Sequence, residues 1–211
     1  MANTNVAFGL KPIGIVGTAP NSTGMTEYRI ASNNSNAIFQ GSPVIPLSTG
    51  FIDIVGDAAG GTVGLLGVFG GCEYVSSTTG ETVFSNFYPG SGADTSQPVK
   101  AFVYDNPMQT FIIASDASLT DESTARAATF ANADFAAGAS GSTSTGLSSA
   151  KLGVSTIAAT AAHHLRIMGI LDDVENSDFS AAGIPLIVRL NNSFNSPNGG
   201  IAAGTPSTTG V

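Results

Sequence analysis

The chain has 211 residues, of which 10% are charged and 42% hydrophobic, and its formal net charge is −8. An ordinary globular domain carries roughly 25% charged residues, so we expect a surface that is largely covered by neighbouring molecules rather than the surface of a free monomer. The 15 acidic and 7 basic residues are spread over both halves without a Lys/Arg cluster, which argues against nucleic acid as a partner.

Residues 1–24 predict an extended N-terminal arm. Pro12, Pro20 and several glycines interrupt its apolar side chains, which excludes a stable helix. A loose terminus and a segment that orders on a partner surface both fit this pattern, and the apolar content favours the second. The candidate partner contacts are Phe8, Leu10, Ile13, Ile15 and Val16.

The sequence predicts no targeting or membrane segment. The start of the chain has neither the basic region nor the long apolar core of a signal peptide. No apolar stretch approaches the roughly 18–20 residues of a membrane span. We therefore expect a protein that is made in the cytoplasm and has no membrane partner.

Residues 25–115 predict a β-barrel-like domain of about seven short strands. The apolar runs are rich in β-branched and aromatic residues, and Gly, Pro, Ser and Asn bound them. The glycines of residues 67–71 predict a bulge or a close backbone approach, and those of residues 59–61 a break between strands. The predicted strands are TEYRI, AIFQGSPVIPL, FIDIV, LLGVFGGCEYV, TVFSNFY, VKAFVYD and MQTFIIAS.

Residues 116–137 predict a short helix and a linker. Thr120, Asp121 and Glu122 place a hydroxyl and two carboxylates where a helix would begin. The alanine-rich residues up to 131 can continue the helix, and Gly138 follows its end. We expect this to be the one appreciable helix of the chain.

Residues 138–194 predict a second β region that completes or packs on the first. A polar loop at residues 138–149 leads into the predicted strands AKLGVSTIA, HHLRIMGIL and IPLIVRLNNSF. The tail, residues 195–211, is rich in Gly, Ser, Thr and Pro and is expected to be irregular. The fold class predicted is therefore mainly β: a β-barrel or β-sandwich of many short antiparallel strands, with an N-terminal arm and one short helix.

Reactive side chains are few. Cys72 is the sole cysteine, so it can form no internal disulfide, and its apolar surroundings predict a small buried hydrophobe. His163 and His164 are neighbours in a predicted strand, where adjacent side chains point to opposite faces. We therefore expect that the two rings neither share a metal ion nor act as base and partner, and that they have a structural or interface role.

One acidic cluster, formed by Asp172, Asp173, Glu175 and Asp178, could in principle bind a hard cation such as calcium. It lacks the spacing of a calcium loop, and a solvated turn between strands explains it more simply. No serine lies in a Gly-x-Ser-x-Gly elbow, and residues 67–71 lack the lysine of a phosphate loop. We therefore predict no enzyme activity, and no catalytic, metal or cofactor site.

Three parts of the chain carry a resemblance to a known family. They are ANTNVAFGLKPIG; AIFQGSPVIPLSTGFIDIV with LLGVFGGCEYV; and STSTGLSSAKL with LRIMGILDDVEN and PLIVRLNNSF. In order and spacing they resemble the capsid cement or decoration proteins of tailed bacteriophages, and together they span most of the chain. The closing Asn-x-His pattern of that family is here Asn192-Ser193-Phe194, which departs from it.

The resemblance implies a virion structural protein that binds the outer surface of the major capsid protein lattice and staples adjacent capsomers. Its partners would be the major capsid protein and copies of itself, as a dimer or a trimer. An acidic chain fits an outer location, because the phosphates of packaged DNA would repel it. Two alternatives stay open: another virion structural protein, at the head–tail junction or a fibre, and a carbohydrate-binding adhesin, for which aromatic platforms are scarce.

Overall fold

The computed structural model of the chain describes residues 3–4, 6–17, 24–55 and 64–196. In these ranges the chain is mainly β, with several antiparallel sheets and one short α-helix, and it forms an open β-sandwich. This arrangement confirms the predicted fold class. The predicted break at residues 59–61 and most of the predicted tail lie outside the described residues.

The described residues contain fifteen strands, of which the first ten lie before the helix. These are β1 (Lys11–Ile15), β2 (Thr26–Ile30), β3 (Ile38–Phe39), β4 (Pro43–Pro46), β5 (Ile52–Ile54), β6 (Gly67–Val75), β7 (Thr82–Ser85), β8 (Phe87–Tyr88), β9 (Val99–Tyr104) and β10 (Gln109–Ala114). The rest are α1 (Glu122–Ala127), β11 (Asn132–Ala133), β12 (Phe135–Ala136), β13 (Lys151–Leu152), β14 (Leu165–Ile170) and β15 (Pro185–Leu190). Single turns of 3-10 helix occupy Val154–Thr156 and Val174–Asn176.

Two larger sheets organise these strands. Sheet 1 has the order β1-β10-β15-β14-β11, and all its neighbouring strands are antiparallel. Sheet 2 has the order β2-β9-β6-β4-β5, with β7 also paired to β6. The short strands β3 and β8 pair with each other, as do β12 and β13.

Sheet 1 contains strands from both sides of residue 115. β10, the last strand before that residue, lies in sheet 1 between β1 and β15. The reason is that Phe111 and Ile113 of β10 are fully buried in the core beneath sheet 1, together with Leu186 and Val188 of β15. The two predicted β regions therefore share one sheet.

The N-terminal segment also differs from the predicted arm, because part of it is a strand of sheet 1. β1 pairs with β10 through a bulge between Pro12 and Gly14. The N–H of Leu10 donates to the Gly41 carbonyl at 2.9 Å, and the Leu10 side chain is only 1% exposed. The segment is extended, but it lies on the sheet edge of its own chain.

Buried side chains form two cores. The larger core lies under the inner face of sheet 1, and Val68 and the half-buried Tyr104 of sheet 2 pack against it. The smaller core lies within sheet 2, where β9 alternates as predicted and buries Val99, Ala101 and Val103. The alternation of apolar side chains thus correctly indicated which face of this strand is buried.

The glycines of β6 allow a close approach to β9, as predicted. The register between the two strands shifts between Phe69 and Gly71, which is a β-bulge. A side chain at Gly67 would collide with the Tyr104 carbonyl. Glycine is therefore required there because another backbone lies against it.

The helix begins where it was predicted but ends sooner. Asp121 caps it, since its carboxylate accepts a hydrogen bond from the Thr124 N–H at 2.7 Å, and this bond lowers the pKa of Asp121. The chain leaves the helix because Phe130 donates its N–H to the Ile167 carbonyl and Ala131 accepts from the Ile167 N–H. Pairing with β14 thus overrides the helix propensity of the alanines.

The predicted strand AKLGVSTIA is mostly not a strand. It reduces to β13 and a turn of 3-10 helix at Val154–Thr156. The Gly153 N–H donates to the Asp134 carbonyl, and the Thr156 hydroxyl donates to the Gly153 carbonyl. These bonds close a tight turn in place of an extended ladder.

Cys72 is buried, as predicted. It is 2% exposed in β6, and its thiol lies 3.4 Å from the Phe87 carbonyl. Burial raises the pKa of the thiol to about 12. The reactive thiolate is therefore scarce in the folded protein.

We expect the leucine at position 10 to stabilise the whole fold. Leu10→Ala should lower the free energy of unfolding by about 2–5 kcal/mol, because it leaves a cavity in a closed core. Val6→Ala, at a side chain that is 64% exposed, is the control and should change it by less than about 0.5 kcal/mol. Urea unfolding followed by circular dichroism measures both, and equal small effects would contradict a structural role for Leu10.

The thiol gives a second test of the fold. At pH 8 iodoacetamide should alkylate Cys72 in the folded protein at least about a thousandfold more slowly than in urea, because the raised pKa reduces the thiolate by about that factor. Mass spectrometry against time measures the rate. Comparable rates in the two states would show that Cys72 is not buried.

Candidate functional site

Four of the five predicted contact residues lie on the accessible part of the N-terminal segment. Ile13 and Ile15 belong to β1, Phe8 precedes it and Val16 follows it, and all four side chains are half-buried. Leu10 is the exception, because it is enclosed in the core of its own chain. Leu10 is therefore corrected from a partner contact to a core residue.

The free edge of β1 is the main feature of this segment. β1 is the last strand of sheet 1, and in the described part of the chain no strand pairs with its outer edge. Pro12 and the exposed Lys11 protect the beginning of that edge, as proline and lysine commonly do on edge strands. At the other end of β1 the Gly14 carbonyl accepts hydrogen bonds from Gln109 Nε2 at 2.6 Å and from the Thr110 hydroxyl at 2.9 Å, and the Ile15 side chain is half-exposed.

A cavity of about 550 Å³ opens beside the same segment. Phe8, Pro12 and Ile112 give it a largely apolar wall, and Lys11 and Asp173 also line it. Its volume lies in the range of roughly 300–1,000 Å³ that is usual for ligand pockets. Apolar side chains of a protein partner would fit the same space.

The two histidines share one carboxylate. Asp134 Oδ1 lies 2.8 Å from His164 Nδ1 and accepts the backbone N–H of His164 at 2.9 Å, and Asp134 Oδ2 lies 3.8 Å from His163 Nε2. Both rings therefore face the same carboxylate, although adjacent side chains of a strand would point to opposite faces. Both histidines precede β14, which begins at Leu165, so the alternation of a strand does not apply to them.

Asp134 joins several segments of the chain. Besides the histidines, its N–H donates to the Thr156 hydroxyl at 2.8 Å, and its carbonyl accepts from Gly153. His164 is 1% exposed, and its Nε2 has no hydrogen-bonding partner in the described chain. Among the described residues, no three His, Cys, Asp or Glu side chains are arranged to hold a metal ion. Asp134 and the two histidines thus form a buried junction between several segments, which we call the Asp134 junction. Sequence spacing alone could not indicate it.

The acidic cluster forms a turn after β14, as predicted. Asp173 accepts a hydrogen bond from Asn176 Nδ2 at 2.7 Å, and Asp178 accepts from the Ser180 hydroxyl at 2.6 Å. These bonds lower the pKa of both carboxyls. Val174 lies at the apex of the turn and is 86% exposed.

Two exposed aromatic side chains were not predicted as contacts. Phe84 on β7 is 74% exposed, and Phe130, with a φ of 71°, is 73% exposed. Alternation along the predicted strand TVFSNFY would place Phe84 and Tyr88 on one face, but the strand breaks at Asn86, and Tyr88 is buried. An alternating pattern could not reveal this break.

Comparison of the chain with protein-family models, curated proteins and solved structures gives no match. None of the helices in the described ranges is both long and apolar enough to cross a membrane. The free edge of β1 and the half-exposed side chains around it are the features best suited to contact with another molecule.

The Asp134 junction should contribute to stability. Asp134→Ala should lower the free energy of unfolding by about 1–3 kcal/mol, because it leaves the buried His164 without its acceptor. The control is Glu81→Ala, at an exposed carboxylate that bonds to no other described residue. Thermal and urea unfolding measure the difference, and matching stabilities of the two variants would refute the junction.

Proposed function

We propose that the chain is a cement or decoration protein of a tailed-bacteriophage capsid. It binds the outer surface of the major capsid protein lattice and staples adjacent capsomers. The observation that carries the proposal is the apolar, half-exposed strand β1, whose outer edge is unpaired in the described chain.

The edge of β1 offers a known mode of recognition. An extended loop of the shell protein can add to a sheet edge, where main-chain hydrogen bonds give affinity and alternate side chains give specificity. Ile13 and Ile15 would pack on the shell protein, and the cavity beside Phe8 would receive one of its apolar side chains. Such a contact needs no cofactor.

The strand is already ordered before it meets a partner. Because β1 pairs with β10, it does not lose the conformational entropy that a free arm would lose on binding. A contact of roughly 1,600 Å² is a standard protein interface. Repeated over a shell, such contacts reinforce one another, since each bound copy holds the next contact at high effective concentration.

The charge of the chain supports the outer surface as its location. The chain has a net charge of −8, so the phosphates of packaged DNA would repel it. With only 10% charged residues, its surface suits burial between neighbours.

The test uses phage heads that lack the protein. Added wild-type protein should bind in a copy number that approaches that of the shell protein, and it should raise the temperature at which the heads release DNA. Ile13→Glu should reduce the bound copies at least about tenfold, because it places a charge in the contact. Ile13 is suitable because it lies at the bulge and has no direct partner in β10.

Phe84→Glu is the matched control, since Phe84 is exposed on sheet 2 and should tolerate the charge. Point variants are preferred to deletion of residues 2–20, which would remove Leu10 from the core. Melting temperatures establish that both variants fold. Wild-type protein that ignores the heads would contradict the proposed function, and equal binding of Ile13→Glu would contradict the role of β1.

A further inference from the structure

The outer face of sheet 1 carries two arginines directly opposite each other. Arg166 of β14 pairs in register with Arg189 of β15, and Asn132 and Thr110 flank them in the same row. We call these four residues the arginine row. Like charges directly opposite on neighbouring strands destabilise a sheet, so an anion bound at the row would offset that cost.

The guanidinium groups have few acceptors within the chain. Arg166 Nε donates to Asn132 Oδ1 at 3.2 Å. One terminal nitrogen of Arg189 lies 3.7 Å from the sulfur of Met108, a weak acceptor, and the buried Nε of Arg189 has no partner in the described chain. Each guanidinium has five N–H donors, so most of them remain available.

The cations of sheet 2 are arranged differently. Arg29 lies 2.9 Å from Glu27, and Lys100 lies 2.8 Å from Glu73. The five strands of sheet 1 contain no Asp or Glu at all, although the whole chain has 15. Asp57 is the one acidic residue outside the described ranges. The arginine row therefore stands without an ion pair among the described residues of an acidic protein.

The complementary charge lies at the opposite end of the same two strands. Asp172 and Glu175 are exposed, and their side chains bond to no other described residue. Val174 stands between them and is 86% exposed. We call these three residues the acidic tip. Arg166 is four residues before the end of β14, about 13 Å along the strand, and no ion pair joins the row and the tip within one copy.

We infer that the arginine row of one copy binds the acidic tip of a second copy. The carboxylates of Asp172 and Glu175 accept the free donors of Arg166 and Arg189, as arginine and carboxylate do in two-pronged pairs. Val174 packs on the half-buried Ile187, which lies on the same face as Arg189.

Two different patches meet in this contact, so it is heterologous. Such contacts close into a ring or extend into an open row of copies. The contact does not require binding to a shell. If the protein decorates heads while it remains a monomer, this contact is refuted but the proposed function is not.

Sedimentation velocity of the full chain over a range of concentrations tests the contact. The wild-type protein should self-associate, and added salt should weaken the association because it screens the charges. Both Arg166→Glu/Arg189→Glu and Asp172→Arg/Glu175→Arg should weaken it at least about tenfold, since each places like charges in contact. The four substitutions in one chain should restore it.

The reversals also separate a specific contact from a general charge effect. The arginine reversal makes the chain more acidic, and the tip reversal makes it less acidic. If general repulsion between acidic copies controlled association, the less acidic tip variant would associate more strongly than the wild-type protein. That result would overturn the inference. A wild-type chain that stays monomeric, or a folded fourfold variant that does not recover, would overturn it as well.

Two further variants complete the design. Glu81→Arg reverses an exposed acid that has no side-chain partner in the described residues, and it should leave association unchanged. Asp57→Asn tests Asp57 as the partner of the row, and a loss of self-association equal to that of the arginine reversal would refute the acidic tip as the occupant. Circular dichroism checks that each variant folds. If the arginine reversal does not fold, Arg166→Gln/Arg189→Gln replaces it. Unchanged self-association of this folded double variant would then overturn the inference.

Discussion

β10 lies between β1 and β15, and the surfaces of sheet 1 depend on this placement. The inner side chains of β10, Phe111 and Ile113, are buried in the larger core, which holds the strand against β15. Its other edge receives β1, so the N-terminal segment becomes the last strand of the sheet. The same register brings Thr110 beside Arg189 on the outer face. The free edge and the cationic row thus follow from one set of strand pairings.

Local pattern was enough to predict most strands and the start of the helix, because both depend on nearby residues. Val99, Ala101 and Val103 alternate and are buried together, and Asp121 caps the helix that it was expected to begin. Strand partners could not be predicted in the same way, because the pairing of β10 with β15 joins residues far apart in the chain. The end of the helix at Ala127 was missed for the same reason, since the hydrogen bonds of Phe130 and Ala131 to β14 draw the chain away from the helix.

The site was predicted in part. The apolar N-terminal residues were identified from composition, but Leu10 could not be told apart from its neighbours, because its burial depends on contacts with distant strands. The shared partner of His163 and His164 was missed because Asp134 lies far from them in sequence. The arginines gave no local signal: each is a single cation in an apolar run, and only the register of β14 with β15 places them opposite each other.

The two surfaces of sheet 1 are physically linked. Met108 lies against the Arg189 guanidinium through its sulfur, and its carbonyl accepts the N–H of Val16, directly after β1. A carboxylate that draws the Arg189 side chain would therefore act on a residue that holds the end of the N-terminal strand.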